Sequence, residues 1–245
     1  MNLTPIFGFH AAQAALDYSQ DKIKRAWFDA NRHDKRLAEL VDALRDKGIA
    51  VDKADKKKLD QWSEGKNHQG IVLEVVLPSV KDESALKLAV TNLQTPAFFL
   101  VLDQVQDPHN LGACLRTADA TGVHGVIVPK DNSVGITPTV CKVASGAAET
   151  VPVYQVTNLS RTLRWLKSQN IWLVGTSDQA RDSLFATDLN LPIAIVMGTE
   201  GTGMRRLTQE QCDFLVSLPM QGTVQSLNVS VATGVVLYEV LKQRT

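Results

Sequence analysis

From residue 96 onward the chain carries six short runs that are apolar almost end to end, at 98–102, 125–129, 151–156, 171–175, 193–197 and 214–218. A strand with one wet face alternates apolar and polar positions. A strand with almost no polar position must be covered on both faces. The stretches between the runs are long enough for helices, and strand–helix alternation with doubly covered strands predicts a mostly parallel sheet between two helical layers. Residues 96–245 are therefore expected to form one α/β domain around a six-stranded, mostly parallel sheet. Ligands of such sheets lie outside the carboxyl ends of the strands. The loops that follow the strands are where function should be sought.

The first 78 residues have a different rhythm. Helices are expected at 10–19, 34–47 and 54–62, with Gly48 closing the second, and strands at 25–30, 49–51 and 71–77. This is a small α/β module of its own. Pro78 and the polar run that follows break the pattern; Ala85–Leu93 could be a short helix, but residues 79–95 read best as a linker. The 26 basic and 26 acidic residues cancel overall, and the balance stays near zero in each half. A nucleic-acid partner usually leaves a basic footprint, so charge gives it no support, although local patches can sit inside a neutral total. Lys56-Lys57-Lys58 and the group Arg32, Lys35 and Arg36 are the two densest basic patches, the first also readable as a solvated helix face. Cys114, Cys141 and Cys212 are odd in number and widely spaced, which argues against a disulfide framework or a zinc site and for a reducing, cytoplasmic setting. No secretory leader and no apolar run of membrane-spanning length is seen.

Three loops of the second domain carry polar groups beside Gly or Asn. In Asp107-Pro108-His109-Asn110-Leu111-Gly112, Asn110 is well placed to cap a helix over 111–120. Arg116 lies on that otherwise apolar helix, where a guanidinium needs a partner and phosphate suits its planar fork; a cap and a solvated arginine is the plain alternative. In Gly198-Thr199-Glu200-Gly201-Thr202-Gly203, three glycines make a nest able to wrap a ligand, or simply a turn. It matches neither common nucleotide fingerprint, and it follows the fifth strand where a dinucleotide fold would place its glycines after the first. The third loop ends in Ser226-Leu227-Asn228, either polar residue of which can cap a helix running to Leu241. That helix is apolar almost all round, which suits a subunit interface or a capped core helix.

Taken jointly, these segments resemble the three signature motifs of the SpoU branch of RNA ribose 2′-O-methyltransferases, within the knotted SPOUT class. Residues 103–118 are similar to the first motif, 196–204 to the second and 218–232 to the third, and the resemblance covers roughly residues 97–245. The N-terminal module, with Gly8-Phe9-His10-Ala11 and Asn67-His68-Gln69-Gly70-Ile71, resembles the substrate-binding domain of the bacterial 23S rRNA guanosine 2′-O-methyltransferases, a ribosomal-protein-like RNA-binding fold. The resemblance implies S-adenosylmethionine as methyl donor, a C-terminal trefoil knot, a homodimer and no metal. It implies a donor site at Met197, Gly198, Thr199, Gly201, Gly203, Leu218, Met220 and Leu227. It implies a catalytic set of Asn110, Arg116, Glu200, Ser226 and Asn228.

A ribose hydroxyl is a poor nucleophile at neutral pH and must lose its proton as the methyl group arrives. Guanidinium stays protonated in proteins, so Arg116 is read as a clamp on the neighbouring phosphate and a stabiliser of the developing oxyanion. Proton acceptance is left to water, phosphate or Glu200. A guanosine in a loop of 23S rRNA is the expected target. The rivals are a tRNA substrate for the same chemistry, an RNA-binding module without activity, and a nicotinamide- or phosphate-binding enzyme.

Overall fold

The structure, a computed structural model, describes residues 3–32, 34–199 and 201–245. It divides into two compact units. One comprises the chain up to Ser79 together with Ile136–Lys142; the other comprises Val80–Gly135 and Val143–Thr245.

The first unit contains β1 (Leu3–Phe7), α1 (Phe9–Tyr18), β2 (Ile23–Asp29), α2 (Lys35–Asp46), β3 (Val51–Ala54), α3 (Lys56–Trp62) and β4 (Ile71–Val76). Its sheet has the order β1-β4-β2-β3, with β4 antiparallel to both neighbours and β2 parallel to β3. Aspartates start two of its helices: Asp34 accepts from the Arg36 amide and Asp55 from that of Lys58. The apolar face of α2 (Leu37, Leu40, Val41, Leu44) joins Ala12, Ala15 and Leu16 of α1 over Ile71, Leu73 and Val75 of β4. The opposite face closes on Leu59, with Trp27 and Trp62 in ring contact at 4.7 Å. β1 was not expected from the sequence. It carries Pro5 and is largely exposed, which an edge strand tolerates because only one side of it must pair.

The second unit runs α4 (Glu83–Thr91), β5 (Phe98–Leu102), α5 (Pro108–Ala120), β6 (Gly125–Pro129), α6 (Pro138–Ala144, shared with the first unit), α7 (Ala147–Thr150), β7 (Val153–Val156), α8 (Leu159–Ser168), β8 (Trp172–Thr176), β9 (Asp182–Ser183), β10 (Ile193–Met197), α9 (Arg206–Gln209), β11 (Phe214–Ser217) and α10 (Val229–Arg244). Its sheet has the order β7-β6-β5-β10-β8-β11-β9, and every pairing is parallel. The six expected strands are joined by a seventh, β9, whose two residues pair with Val216 and Ser217. Two residues carry no periodicity from which a strand can be read. One face of the sheet is covered by α4 and α8 through Leu86, Leu159, Leu163 and Leu166. α10 packs against α5 and β10.

Within the segment expected as a linker at 79–95 the structure forms the short helix that the sequence left open, α4. Asp82 caps α4 by accepting from the Ala85 amide, and Leu86 is fully buried against the sheet. Lys81 bridges to Tyr154 on β7. The polar run that resembles a linker is thus the cap of a core helix. None of the helices among the described residues is long and apolar enough to cross a membrane.

Candidate active site

The glycine-rich loop after β10 folds back on itself as a tight hairpin. Thr199 and Gly203 exchange two backbone hydrogen bonds, of 3.1 and 3.0 Å, and the hydroxyls of Thr199 and Thr202 meet at 2.6 Å. Gly201 and Gly203 have φ of 82° and 67°, in the left-handed region where a side chain is strained. Gly198 is required for another reason: a Cβ there would lie 2.1 Å from the Gly203 carbonyl carbon.

This hairpin walls a cavity of about 360 Å³, within the ~300–1,000 Å³ of small-molecule sites. All eight residues expected to hold the donor line it: Met197, Gly198, Thr199, Gly201, Gly203, Leu218, Met220 and Leu227. Ser226 lines it too. The sequence reading missed one wall, Thr176, Ser177, Asp178 and Gln179, at the end of β8 and in the loop after it. The signal was available, since these residues also sit at the carboxyl end of a parallel strand.

Two helix N-termini meet in the same part of the domain. α5 begins one turn earlier than expected. Asp107 is its cap, accepting from the His109 amide at 2.9 Å, and Pro108 occupies the first turn, where a missing N–H is harmless. Asn110, expected to be the cap, is thereby inside the helix with its side chain released from capping. Its Oδ1 accepts from Asn228 Nδ2 at 3.0 Å. Asn228 caps α10, and its Oδ1 accepts from the Ser230 amide at 2.9 Å and the Ser230 hydroxyl at 2.6 Å. Those two donors fix the amide orientation and turn Nδ2 toward Asn110. Deeper between the helices, Cys114 Sγ donates to Thr233 Oγ1 at 3.6 Å. The positive ends of two helix dipoles therefore lie close together, a setting that favours negative charge.

Arg116 is exposed two turns along α5, outside the cavity lining, with no hydrogen bond or ion pair to another described residue. Glu200 lies outside the described residues. Neither Cys114 nor Cys212 offers a thiolate: burial pushes the first up to about 11, and burial together with Asp213 pushes the second up to about 12. Below the hairpin, the buried carboxylate of Asp103 is held by Arg205.

Comparison with known proteins gives consistent findings. A family model described as "SpoU rRNA Methylase family" matches residues 97–238, and one described as "RNA 2'-O ribose methyltransferase substrate binding" matches residues 5–80. The chain is 51% identical over 239 residues to the 23S rRNA (guanosine-2'-O-)-methyltransferase RlmB of Shewanella oneidensis, covering 98% of this chain and 97% of that protein. It is 49% identical over 240 residues to the protein of the same name from Escherichia coli K12, covering 98% of each. Its fold is similar to that of the SpoU methyltransferase AviRb from Streptomyces viridochromogenes, solved in complex with AdoMet. The TM-score is 0.63 at 23% identity, with 98% of this chain and 90% of that one covered.

Proposed function

Because the chain belongs to the SpoU rRNA methylase family, we propose that it methylates the ribose 2′-hydroxyl of a guanosine in 23S rRNA, with S-adenosylmethionine as methyl donor. The observation that carries this reading is the adjacency, in one domain, of a glycine-walled cavity and the Asn110–Asn228 amide pair at two helix N-termini. The cavity is of small-molecule size, and Met197, Leu218 and Leu227 give it apolar surface among its polar loop residues. Those features suit a ligand with a flat base and a polar tail.

S-adenosylmethionine supplies a methyl group already activated on a sulfonium centre, so the chain has to align two reactants and manage one proton. The hairpin at 198–203 and the loop from Leu218 to Leu227 hold the donor. Asn110 and Asn228 orient the ribose and, with the two helix dipoles, favour charge building on the 2′-oxygen. Arg116, exposed and free to move, clamps the adjacent phosphate. Its guanidinium keeps its proton, so the hydroxyl proton passes to phosphate, water or Glu200. Alignment supplies much of the rate. The first unit selects the RNA, and a cytoplasmic location follows from that substrate. The family's trefoil knot is read into the segment after β10, where three loops from separate strands close around one cavity.

The enzyme is further read as a homodimer. α10 buries Val236, Leu237 and Val240 but leaves Val231 and Tyr238 each 53% exposed, an apolar stripe that a second copy would cover. Incubation of the full chain with labelled S-adenosylmethionine and transcripts of 23S rRNA and tRNA, followed by mapping of alkali-resistant linkages, tests the whole reading. One resistant guanosine in 23S rRNA is expected. Label in tRNA alone would overturn the substrate, and no donor binding would overturn the activity.

A further inference from the structure

Asp103 directly follows β5 and is 1% exposed, yet none of the roles above uses it. An ionised carboxylate so deeply buried must be fully paired to persist. Its Oδ2 accepts from the Arg205 backbone N–H at 2.9 Å. Its Oδ1 accepts from Arg205 Nε at 2.8 Å and faces Arg205 NH2 at 2.7 Å. The Asp103 backbone N–H donates to the Met197 carbonyl at 2.8 Å, extending the β5–β10 pairing by one step. One residue therefore grips both ends of the glycine hairpin: Met197 just before it and Arg205 just after.

The same residue opens the path to α5. Gln104, which follows it, is held at φ 68°, a left-handed conformation that is strained for a non-glycine residue and survives only when its surroundings enforce it. Asp103 enforces it on one side. On the other, the Val105 carbonyl accepts from the Val134 amide at 3.0 Å and the Ser133 hydroxyl at 3.4 Å. Two residues later Asp107 caps the helix that carries Asn110 and Arg116.

We propose that Asp103, through Arg205, is a positioning residue that sets the donor-binding hairpin and the start of α5 in one register. This inference rests on the methyltransferase reading for its donor-affinity readout alone. Asp103 touches neither reactant; it fixes the two loops that do. Its charge matters because both carboxylate oxygens accept. An asparagine offers one acceptor and one donor, so either the Arg205 amide or its side chain would face a donor instead.

The test compares the full-length wild type with D103N, R205Q, R205K and the double variant D103N/R205Q. Titration calorimetry with S-adenosylmethionine gives donor affinity, and hydrogen exchange of the Thr199 and Gly203 amides gives hairpin stability. D103N and R205Q are each expected to weaken donor binding by roughly 10–100-fold, the range of one lost charge-assisted hydrogen bond. Both should speed exchange at those two amides. The double variant should be no weaker than the worse single variant, since both remove one contact. R205K, which keeps charge but lacks the fork, should recover part of the loss. A residue that only supported the fold would lower the melting temperature and leave the affinity of the folded protein unchanged. Wild-type affinity and exchange in D103N would overturn the proposal, as would additive losses in the double variant. Should D103N fail to fold, R205Q decides, and unchanged affinity and exchange there would overturn it equally. A wild type that binds no donor would defeat the methyltransferase reading, while the exchange data would still judge the clamp.

Discussion

Replacing Gly198 with alanine adds one methyl group, and the structure leaves it nowhere to go. The new Cβ would lie 2.1 Å from Gly203 C, 2.2 Å from Met204 N and 2.5 Å from Gly203 O. Carbon atoms in contact settle near 3.5–4.0 Å, so relief demands a displacement of about 1.4 Å. All three neighbours are backbone atoms, and no rotamer change can absorb the strain. The hairpin has to open where it walls the cavity. Overpacking of this kind costs about 1–3 kcal/mol, and a misplacement of ~1 Å at a reactive site is worth about 100-fold. Donor affinity in Gly198→Ala should therefore fall by roughly 10–100-fold, about 1.4–2.8 kcal/mol. Titration of the full-length protein with S-adenosylmethionine measures this, with a thermal melt to verify folding. Gly135→Ala serves as control, because a Cβ there meets nothing within 4 Å, its φ is ordinary and it lies outside the cavity lining; its affinity should stay within about twofold, as expected for a change that makes no new contact. If Gly198→Ala binds the donor as tightly as the wild type, the hairpin is not the wall described.

Three other perturbations probe separate parts of the molecule. Ser230→Ala removes the hydroxyl that fixes the Asn228 amide but keeps the capping N–H. A loss of kcat of about 5–10-fold, the worth of one hydrogen bond, with donor affinity unchanged is expected from steady-state kinetics; an unchanged kcat would deny that the amide orientation matters. Leu86→Ala should cost about 2–5 kcal/mol in denaturant unfolding, because Leu86 is fully buried, whereas a true linker residue would cost almost nothing. His124 tests pH dependence. Burial, and then Arg244, lower its pKa below 6.5, while its Nδ1 must stay unprotonated to accept from the Phe98 amide at 3.0 Å. The unfolded chain thus binds the extra proton first. The stability His124 contributes is present above pH 6.5 and is lost as pH falls from there through the folded value. The fall in melting temperature between pH 7.5 and 5.5 should be shallower in His124→Gln, and equal slopes would refute the assignment.

Much of the second domain was legible because its strands are covered on both faces. Runs such as Phe98–Leu102 carry no polar residue, and their order together with the rule for parallel sheets located the functional loops. Legibility failed where a residue's role depends on a neighbour distant in sequence. Asn110 looks like a cap when read locally. Asp107 with Pro108 takes that role, and only the fold brings Asn228 to the released side chain. The polar run before Glu83 looks like a linker until Leu86 is seen against the sheet. Asp103 opens the first motif segment, but nothing local shows what it holds, since its partner Arg205 is about a hundred residues away. The cavity wall at 176–179 was readable by the rule already in use, but its residue types are ordinary and drew no attention.

The pairing of β5 with β10 joins segments almost a hundred residues apart, Phe98 beside Ile193 and Leu102 beside Met197. Such long-range contacts form late in folding, because closing so large a loop is entropically unfavourable until the pairing compensates. The hairpin grows directly from the end of that central strand, so donor recognition has no earlier foothold on the folding route. The donor site therefore depends on that long-range pairing being made. A donor that binds only the finished fold also stabilises it by mass action. The cellular concentration of the methyl donor thereby becomes a determinant of how much of this protein persists.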